Sequence, residues 1–422
     1  MVHSNKQTSN HSNATSKDQQ IVQENALVTR KHEESVGWTK FSFDQAPCGR
    51  YGHRAIVHDG KLILNGGYNG QERLSDTQIY DMEKKVWSQI SAVGRPPSER
   101  DCHSAILYHS CMYIFGGGDG FRWLNDLHKY DIANKVWTKL RTKGDIPPGR
   151  AGHSANQYKH YMIVFAGWNG SHTLNDLYAL NLNTLVWTKV RTTGQSPQAR
   201  DSHTANVVDD ALYVIGGGDG KQRLNDMYKL NLKTWTWTKQ ACIGDINAGR
   251  AGHVSVYYNG SIFIYGGGDG SKWLEEVYEC NLKSMKWYMI EAKGNNAPGC
   301  YGLSGVVHQN NMILFGGGDG RHWYNSVYVY KLGDNIRQGE TKNKAYKNLQ
   351  KNVFVDITFR FTSQDEEEEL RINVGAPLKM LHDLNPIVKE PMMISPTSPQ
   401  DYQDVNRGFL RNGNHAYGID TN

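Results

Sequence analysis

The segment that decides the fold runs from Arg100 to Leu140 and reads RDCHSAILYHSCMYIFGGGDGFRWLNDLHKYDIANKVWTKL. Fifty residues later, Arg150 to Val190 reads RAGHSANQYKHYMIVFAGWNGSHTLNDLYALNLNTLVWTKV. Both segments begin with R-x-x-H, carry a pair of small residues in the middle and end near V-W-T-K. Self-similarity at a fixed period indicates a repeat architecture, in which each unit buries its faces against its neighbours.

The same anchors recur over six units with a period of 50 residues. The repeat arginines are Arg50, Arg100, Arg150, Arg200 and Arg250, and the repeat histidines are His53, His103, His153, His203 and His253. The sixth copy holds Cys300 and Leu303 instead. The glycine pairs are Gly66-Gly67, Gly116-Gly117, Gly216-Gly217, Gly266-Gly267 and Gly316-Gly317, with Ala166-Gly167 as the single departure. The closing tryptophans are Trp87, Trp137, Trp187, Trp237 and Trp287. This period, with glycine-rich hairpins, predicts β-propeller blades.

Each unit contains four strand-like segments separated by turn residues. In the second unit these are His103–His109, Cys111–Gly116, Leu127–Asp131 and Lys135–Leu140. We therefore expect one four-stranded antiparallel meander per unit. In such a meander, the loop leading into the first strand and the loop joining strands two and three lie at the same end.

The closure of the ring follows from counting fourth strands. The sixth unit has three strand segments, Ser304–Val307, Met312–Phe315 and Val327–Tyr330, but no W-T-K segment after them. The missing segment stands near the start of the chain, where Gly37-Trp38-Thr39-Lys40 matches Val136-Trp137-Thr138-Lys139. The sequence therefore predicts an all-β fold, a six-bladed propeller over residues 36–333 that is closed by an N-terminal strand within residues 36–43.

These motifs resemble those of the kelch-repeat family. The family pattern is a glycine doublet that ends the second strand, followed by a tyrosine and a tryptophan six to nine residues apart, as in Tyr130 and Trp137 or Tyr178 and Trp187. The R-x-x-H start and the G-G-G-D-G turn resemble the leucine-zipper-like transcriptional regulator group and related kelch-BTB proteins. That resemblance implies a module that binds proteins, and it suggests a substrate-recognition subunit of a cullin-type ubiquitin ligase.

The flanks differ in composition from the repeats. Residues 1–35 are polar, with few large apolar side chains, which predicts disorder. Residues 334–352 are polar and basic and are interpreted as a linker, and residues 353–422 as a tail with one strand, Val353–Phe361. That strand resembles the opening strand of a BTB domain, which would be truncated or divergent here. The alternative is a strand that packs on the propeller, or a partly disordered tail.

Composition and motifs exclude several functional classes. Lys and Arg number 47 against 42 Asp and Glu, a net charge of +5 without a clustered basic stripe, so nucleic acid is not favoured. No apolar run reaches the roughly 18 residues of a membrane span, and no export signal precedes the repeats, so we expect a cytoplasmic protein, with the nucleus as the alternative. The six cysteines lack C-x-x-C spacing. Neither a catalytic motif nor a metal or cofactor site is expected.

The repeat arginines admit two interpretations. A ring of five guanidinium groups at one mouth would attract carboxylates or phosphates. Alternatively, each arginine pairs with an aspartate of the facing turn, and these are Asp119, Asp219, Asp269 and Asp319. The pairing is the interpretation we favour. The repeat histidines are interpreted as structural, because one per blade is too widely spaced to hold a single metal ion.

The residues after the turn glycine change from blade to blade and are mostly basic or aromatic. We expect them to bind a protein partner, an acidic or polar peptide segment, at the mouth. They are Arg73, Phe121, Arg122, Trp123, His172, Lys221, Arg223, Lys272, Trp273, Arg321, His322 and Trp323. The alternative is that the tryptophans among them pack on adjacent blades. The alternative function is a small-molecule enzyme of the kelch-propeller type that holds an anionic substrate at the channel mouth.

Overall fold

The computed structural model describes residues 37–43, 45–91 and 93–332, together with four short strands beyond them. Those strands are Val355–Ile357, Thr362–Ser363, Glu366–Glu367 and Ile372–Val374. The predictions made for residues 1–35 and 334–352 lie outside the described residues. Val355–Ile357 falls within the predicted strand of the tail and pairs antiparallel with Ile372–Val374. Its relation to a BTB domain stays a prediction.

The propeller consists of six blades, each a sheet whose strands pair in chain order. The first strands are Arg54–His58, Ser104–Tyr108, Ser154–Tyr158, Thr204–Val208, Val254–Tyr258 and Ser304–His308. The second strands are Lys61–Tyr68, Cys111–Phe115, Tyr161–Trp168, Ala211–Gly218, Ser261–Tyr265 and Asn311–Phe315. The third strands are Arg73–Asp81, Leu127–Asp131, Thr173–Asn181, Arg223–Asn231, Val277–Asn281 and Val327–Lys331. The fourth strands of blades one to five are Val86–Gln89, Val136–Leu140, Val186–Lys189, Thr236–Lys239 and Lys286–Ile290.

The fourth strand of blade six is Gly37–Phe41, from the start of the propeller. It pairs antiparallel with Val327–Lys331, and Trp38 lies opposite Tyr330. The first strands of neighbouring blades adjoin around the whole ring, including those of blades six and one. The predicted six-bladed propeller closed by an N-terminal strand is therefore confirmed. The first strands form the wall of its central channel.

Five blades carry a further two-residue strand on the outer edge, contributed by the preceding blade. These strands are Val93–Gly94, Lys143–Gly144, Thr193–Gly194, Ile243–Gly244 and Lys293–Gly294. Each pairs in parallel with the fourth strand of its sheet, as Gly144 does opposite Trp187. A Cβ on Gly144 would lie 2.2 Å from the carbonyl oxygen of Trp187, and its φ is +82°, so only glycine fits there. Blade one has four strands within the described residues.

Aromatic side chains fill the space between adjacent blades. The Trp187 ring lies 5.1 Å from Phe115 of the preceding blade. Across the seam between blades six and one, Trp87 lies 4.8 Å from Phe315, and between blades five and six Trp38 lies 5.0 Å from Tyr265. Four tryptophans of the fourth strands are thus buried against an aromatic ring at the end of the preceding blade's second strand, where large aromatic pairs stabilise the interface beyond the area that they bury. They are Trp38, Trp87, Trp187 and Trp237.

The repeat histidines join one blade to the next. His153, His203 and His253 are buried, and their Nε2 atoms lie 2.8–2.9 Å from the hydroxyl oxygens of Ser104, Ser154 and Thr204 in the preceding blade. At the junction of blades five and six, Leu303 and Val254 hold the corresponding positions and belong to one apolar cluster. The polar pair and the apolar pair thus substitute for each other as units within this chain.

Closure predicts a large effect at Trp38, whose side chain is 4% exposed. Replacing Trp38 with alanine should lower the free energy of unfolding by about 3–5 kcal/mol, since it leaves a cavity in the core between blade five and the blade that this strand completes. Chemical denaturation followed by fluorescence measures this value. Phe121→Ala, at a side chain that is 100% exposed, is the control and should leave stability unchanged. Equal stability of the Trp38 variant and the wild type would contradict the closure.

The buried histidines predict a dependence of stability on pH. Desolvation, followed by the charge of Arg250, lowers the pKa of His253 from 6.5 to about 3. Below pH 6.5, His253 is therefore protonated in the unfolded chain, whereas in the folded chain it stays neutral until the pH approaches 3. The free energy of unfolding should fall towards pH 3, by up to about 1.4 kcal/mol per pH unit for this histidine, while above pH 6.5 it contributes no pH dependence.

The chain supplies the matched variant, His253→Leu with Thr204→Val, which copies Leu303 and Val254. The free energy of unfolding in urea should fall between pH 7 and pH 5 in both proteins. The fall should be about 2 kcal/mol smaller in this double variant than in the wild type. An unchanged difference between the two pH values would show that His253 is not held neutral.

Candidate functional site

The candidate site is the mouth of the channel at one end of the ring. There the loops leading into the first strands meet the loops that join strands two and three. Bridges between the two loops, such as Tyr51 with Tyr68 and Asp101 with Gly118, recur in every blade. The expectation from topology that both sets of loops share one mouth is therefore confirmed.

A closed circle of backbone hydrogen bonds, here named the throat ring, surrounds the channel at this end. Each N–H donates to the carbonyl oxygen of the preceding blade at 2.7–2.9 Å, and Gly52 donates across the seam to Gly302. The members are Gly52, Cys102, Gly152, Ser202, Gly252 and Gly302. All six have a left-handed φ between +52° and +71°. Cys102 and Ser202 adopt it without being glycine, so closing the circle prevails over the usual cost of that conformation.

The repeat arginines are buried beneath the mouth, each 0–1% exposed. The Nη1 and Nη2 atoms of Arg150 donate to the two carboxylate oxygens of Asp176 at 2.7 and 3.1 Å, and Nη1 also donates to the carbonyl oxygen of Ala166 at 2.9 Å. The same bidentate arrangement joins Arg50 to Asp76, Arg100 to Asp126 and Arg200 to Asp226. This planar fork is the strong geometry of arginine with carboxylate. The burial favours a structural role for these guanidinium groups.

The prediction that the turn aspartates are their partners is wrong. The Oδ1 atom of Asp219 instead accepts the backbone N–H groups of Lys221 and Gln222, both at 2.8 Å. Although desolvation acts to raise it, these hydrogen bonds hold the pKa of Asp219 below its ordinary value. Asp119, Asp269 and Asp319 bond their own turns in the same way. The turn aspartates therefore shape the loops.

Blades five and six depart from the arginine–aspartate pattern. Arg250 faces a blade that holds Glu276 at the aspartate position, and its Nη2 atom has no hydrogen-bond partner among the described residues. Burial lowers the pKa of Arg250. In blade six both members are absent, with Cys300 and Ser326 in their places. In blade six the arginine and the aspartate are thus both replaced, as expected of a buried pair in which one charge without its partner would be destabilising.

A cavity of about 1180 Å³ extends from the mouth through the throat ring into the channel. Six of the predicted partner-binding residues line it: Trp123, Arg223, Lys272, Trp273, Arg321 and Trp323. Tyrosines that the sequence did not single out lie among them, and Tyr301 stacks on Trp273 with ring centroids 4.7 Å apart. The structure therefore brings half of the predicted set together around one concave, aromatic and basic surface.

The other predicted residues lie outside the cavity or are engaged elsewhere. Phe121, Arg122, His172, Lys221 and His322 are exposed on the loop tips and do not line it. Arg122 is 78% exposed and pairs with Asp119 of its own turn at 2.9 Å. Arg73 is largely buried and pairs with Asp101 of the next blade at 3.3 Å. The assignment of these six residues to partner binding stays a prediction.

The tryptophans of the mouth also pack on adjacent blades, which was the alternative interpretation. The indole N–H of Trp273 donates to the carbonyl oxygen of Asp319 in the next blade at 2.6 Å. Trp123 lies against Gly170 and Trp323 against Gly70, so closely that neither glycine could carry a side chain. Each ring therefore braces the neighbouring turn while it lines the cavity.

Sequence reasoning missed several cavity residues. Asp101 and Asp201 line it, and desolvation raises the pKa of both carboxyl groups. Arg54 lies deeper, at the start of the first strand of blade one. The signal was present, because the other blades hold Ser104, Ser154, Thr204, Val254 and Ser304 at that position. Arg54 is the one large, charged side chain in this column of small residues.

Within the part of the chain that the structure describes, no three His, Cys, Asp or Glu side chains form a cluster able to hold a metal ion. No helix among the described residues is long and apolar enough to cross a membrane. The side chains that line the cavity offer guanidinium, ammonium, carboxyl and hydroxyl groups and aromatic faces.

The arginine–aspartate pairs predict strong energetic coupling. Arg150→Cys should lower the free energy of unfolding by about 3–5 kcal/mol, because it leaves the Asp176 carboxylate uncompensated. The double variant Arg150→Cys with Asp176→Ser copies Cys300 and Ser326 and should recover about 1–3 kcal/mol of that loss. A double-mutant cycle from denaturant unfolding measures the coupling. Additive single effects would show that the pair is not a unit.

Comparison with known proteins gives matches along the repeats. The family model of the KLHDC2/KLHL20/DRC7 kelch-repeats domain matches residues 18–167, 137–318 and 237–348. Acyl-CoA-binding domain-containing protein 6 of Oryza sativa subsp. japonica is 34% identical over 84 residues, which is 20% of this chain and 12% of that protein. A probable serine/threonine-protein kinase of Dictyostelium discoideum is 32% identical over 78 residues, 18% of this chain and 6% of the kinase.

Tip elongation aberrant protein 3 of Schizosaccharomyces pombe is 31% identical over 64 residues, which is 15% of this chain and 6% of that protein. The matched segments thus span 6–12% of the length of these relatives. The family match covers far more than half of the chain and coincides with the six blades. The chain belongs to the kelch-repeat family.

Proposed function

We propose that this kelch propeller is a non-catalytic interaction module whose mouth binds an acidic peptide segment of a partner protein. The observation that carries the proposal is the cavity, which combines a large concave volume with basic and aromatic walls. At about 1180 Å³, it exceeds the roughly 300–1,000 Å³ of ordinary small-ligand pockets and has room for several peptide residues.

Four basic side chains line the cavity against three carboxyl groups, a formal excess of one positive charge that favours an acidic ligand. Arg223, Lys272 and Arg321 line one arc of it. Arg223 forms no hydrogen bond or ion pair with a carboxylate among the described residues, although its charge acts on Asp201. A guanidinium group held at the wall without a bidentate partner is ready to receive a carboxylate from a ligand.

The aromatic residues supply contact area for a partner. Trp273 and Tyr301 are stacked, and Tyr51 lies 4.9 Å from Tyr301 by ring centroids. Tryptophan, tyrosine and arginine are the residues that most often dominate binding energy at protein interfaces. Because neighbouring blades hold these rings in place, little conformational entropy is lost when a ligand covers them.

The structure does not favour the alternative of an enzyme that binds an anionic substrate through the repeat arginines. It required the repeat arginines at the mouth as anion ligands, but they are buried and four of them are saturated by aspartates. The binding module therefore accounts for more of the geometry.

We further propose that the captured partner is presented to a cullin-type ubiquitin ligase, in the cytoplasm or the nucleus. Support comes from the resemblance of the repeats to kelch-BTB proteins and from the D-I-T-F sequence at Asp356–Phe359. The described strand Val355–Ile357 includes the start of that sequence. In this proposal, the tail contacts the cullin scaffold, directly or through a BTB domain, and the propeller selects the substrate.

Selection from a random peptide library on the immobilised protein tests the docking surface. Selected peptides should be enriched in Asp and Glu, and Arg223→Ala or Trp273→Ala should weaken their binding at least about tenfold by fluorescence anisotropy, a typical effect of losing a central interface residue.

Arg141→Ala removes the same charge at an exposed residue that neither lines the cavity nor belongs to the predicted set, and it serves as the matched control, with less than a twofold effect expected. Circular dichroism confirms that each variant is folded. Peptides without acidic enrichment, or equal effects of the Arg141 and Arg223 variants, would contradict the proposal.

A further inference from the structure

The channel below the throat ring has a wall of small side chains with one exception. Successive first-strand positions that line it are Ala55, Ala105, Ala155, Ala205, Ser255 and Gly305. The preceding positions are Ser104, Ser154, Thr204, Val254 and Ser304 in five blades, and Arg54 in blade one. The small walls leave open space in front of this one long, charged side chain.

Arg54 has few partners for its five N–H donors. Its Nη1 atom donates to the carbonyl oxygen of His53 at 3.2 Å. Among the described residues, no carboxylate lies within ion-pair distance of it, whereas Arg50, Arg73 and Arg100 each have one. Desolvation lowers the pKa of Arg54, so its charge is held at a cost. Its guanidinium remains charged at neutral pH, as arginine does in proteins.

The surroundings of Arg54 do not neutralise it. Cys102 is nearby, but burial raises the pKa of that thiol to about 12, and it carries no charge at neutral pH. Desolvation also lowers the pKa of His53, His103 and His153 well below the usual value, so these rings are neutral. One uncompensated positive charge therefore faces the channel.

Arg54 replaces the hydroxyl residue that completes three other junctions, whereas at the junction of blades six and one Ser304 donates to the backbone carbonyl oxygen of His53 and not to its ring. At those three other junctions a hydroxyl of the preceding blade bonds the histidine, as Ser104 does with His153 at 2.8 Å. His103 faces the position of Arg54 instead, and both of its ring nitrogens lack a hydrogen-bond partner among the described residues. A buried polar group without a partner is destabilising. A residue that costs stability at a repeated position is typical of a functional site.

We propose that Arg54 anchors a side-chain carboxylate of the bound peptide, which reaches through the mouth and the throat ring into the channel. This inference rests on the proposed function and adds the depth and the chemistry of its central contact. Arg54 and the rim residues Arg223 and Trp273 line one continuous cavity, so a single peptide can contact all of them. The anchored residue is a glutamate or an aspartate.

A carboxylate fits this place better than a phosphate. Arg54 supplies one positive charge, which matches one negative charge. Asp101 and Asp201 line the same cavity, and a phosphate group with a charge near −2 would be repelled by them more strongly. The guanidinium fork matches the two oxygens of a carboxylate directly.

The test uses the full chain labelled with ¹⁵N-arginine and a minimal probe, N-acetyl-L-glutamate α-amide, which carries one side-chain carboxylate. The Nε–Hε resonance of Arg54, assigned by its loss in Arg54→Ser, should shift and saturate with this probe. N-acetyl-L-glutamine amide, the neutral isostere, should cause no saturable shift, and phosphate a smaller one. No shift, an equal shift with the glutamine probe, or tighter binding of phosphate would overturn the proposal.

Arg54→Ser is also the matched variant for affinity, because it introduces the residue found at Ser104, Ser154 and Ser304 and places a hydroxyl group opposite His103. This variant should fold with a melting temperature no lower than that of the wild type. Its affinity for the selected acidic peptides should be at least about tenfold lower than that of the wild type. Peptides that depend on Arg223 and Trp273 but bind Arg54→Ser unchanged would overturn the anchor and leave the docking surface intact. Saturable binding of the glutamate probe at Arg54, with no acidic peptide selected, would support the anchor and contradict the proposed function.

Discussion

The throat ring is the constraint on which the rest of the structure depends. Six backbone N–H groups, one per blade, each donate to the blade before, and the last bond joins Gly52 to Gly302 across the seam. Such a circle exists only if the sixth blade lies beside the first. That position requires the sixth sheet to be complete, and its fourth strand comes from Gly37–Phe41. The closed sheet order, the packing of Trp38 and the single mouth all follow from this requirement.

Residues that recur from blade to blade build the scaffold, whereas residues that differ between blades form the proposed binding surface. Side chains that recur in the blades are buried, and most of the arginines and three of the histidines are paired with a recurring partner, as Arg150 is with Asp176 and His153 with Ser104. Where one member of such a pair is replaced in blade six, its partner is replaced too. The loops above this scaffold are free to differ, because their own turn aspartates hold the backbone in place. Dissimilar side chains can therefore gather around one cavity without disturbing the ring.

Most of the fold could be predicted from the sequence because a 50-residue period records a stacked unit directly. The partner of the repeat arginines could not, because Asp119 and Asp126 recur at the same period and spacing alone does not tell them apart. The distinction depends on strand direction, since Asp126 stands just before the third strand and beneath the mouth, whereas Asp119 caps its own turn. Arg54 was within reach of sequence reasoning, as the exception in a column of small residues, but its lack of a carboxylate partner could only be seen in three dimensions.

Amide hydrogen exchange of the throat ring tests the closed propeller most directly. The account predicts that the N–H groups of all six members exchange with one common free energy, equal to that of global unfolding, because opening any blade breaks the circle. The decisive amides are those of Gly52 and Gly302, on either side of the seam. If these two exchanged with a much lower free energy than Gly152 and Ser202, the seam would open independently, and a ring sealed by the N-terminal strand would be contradicted.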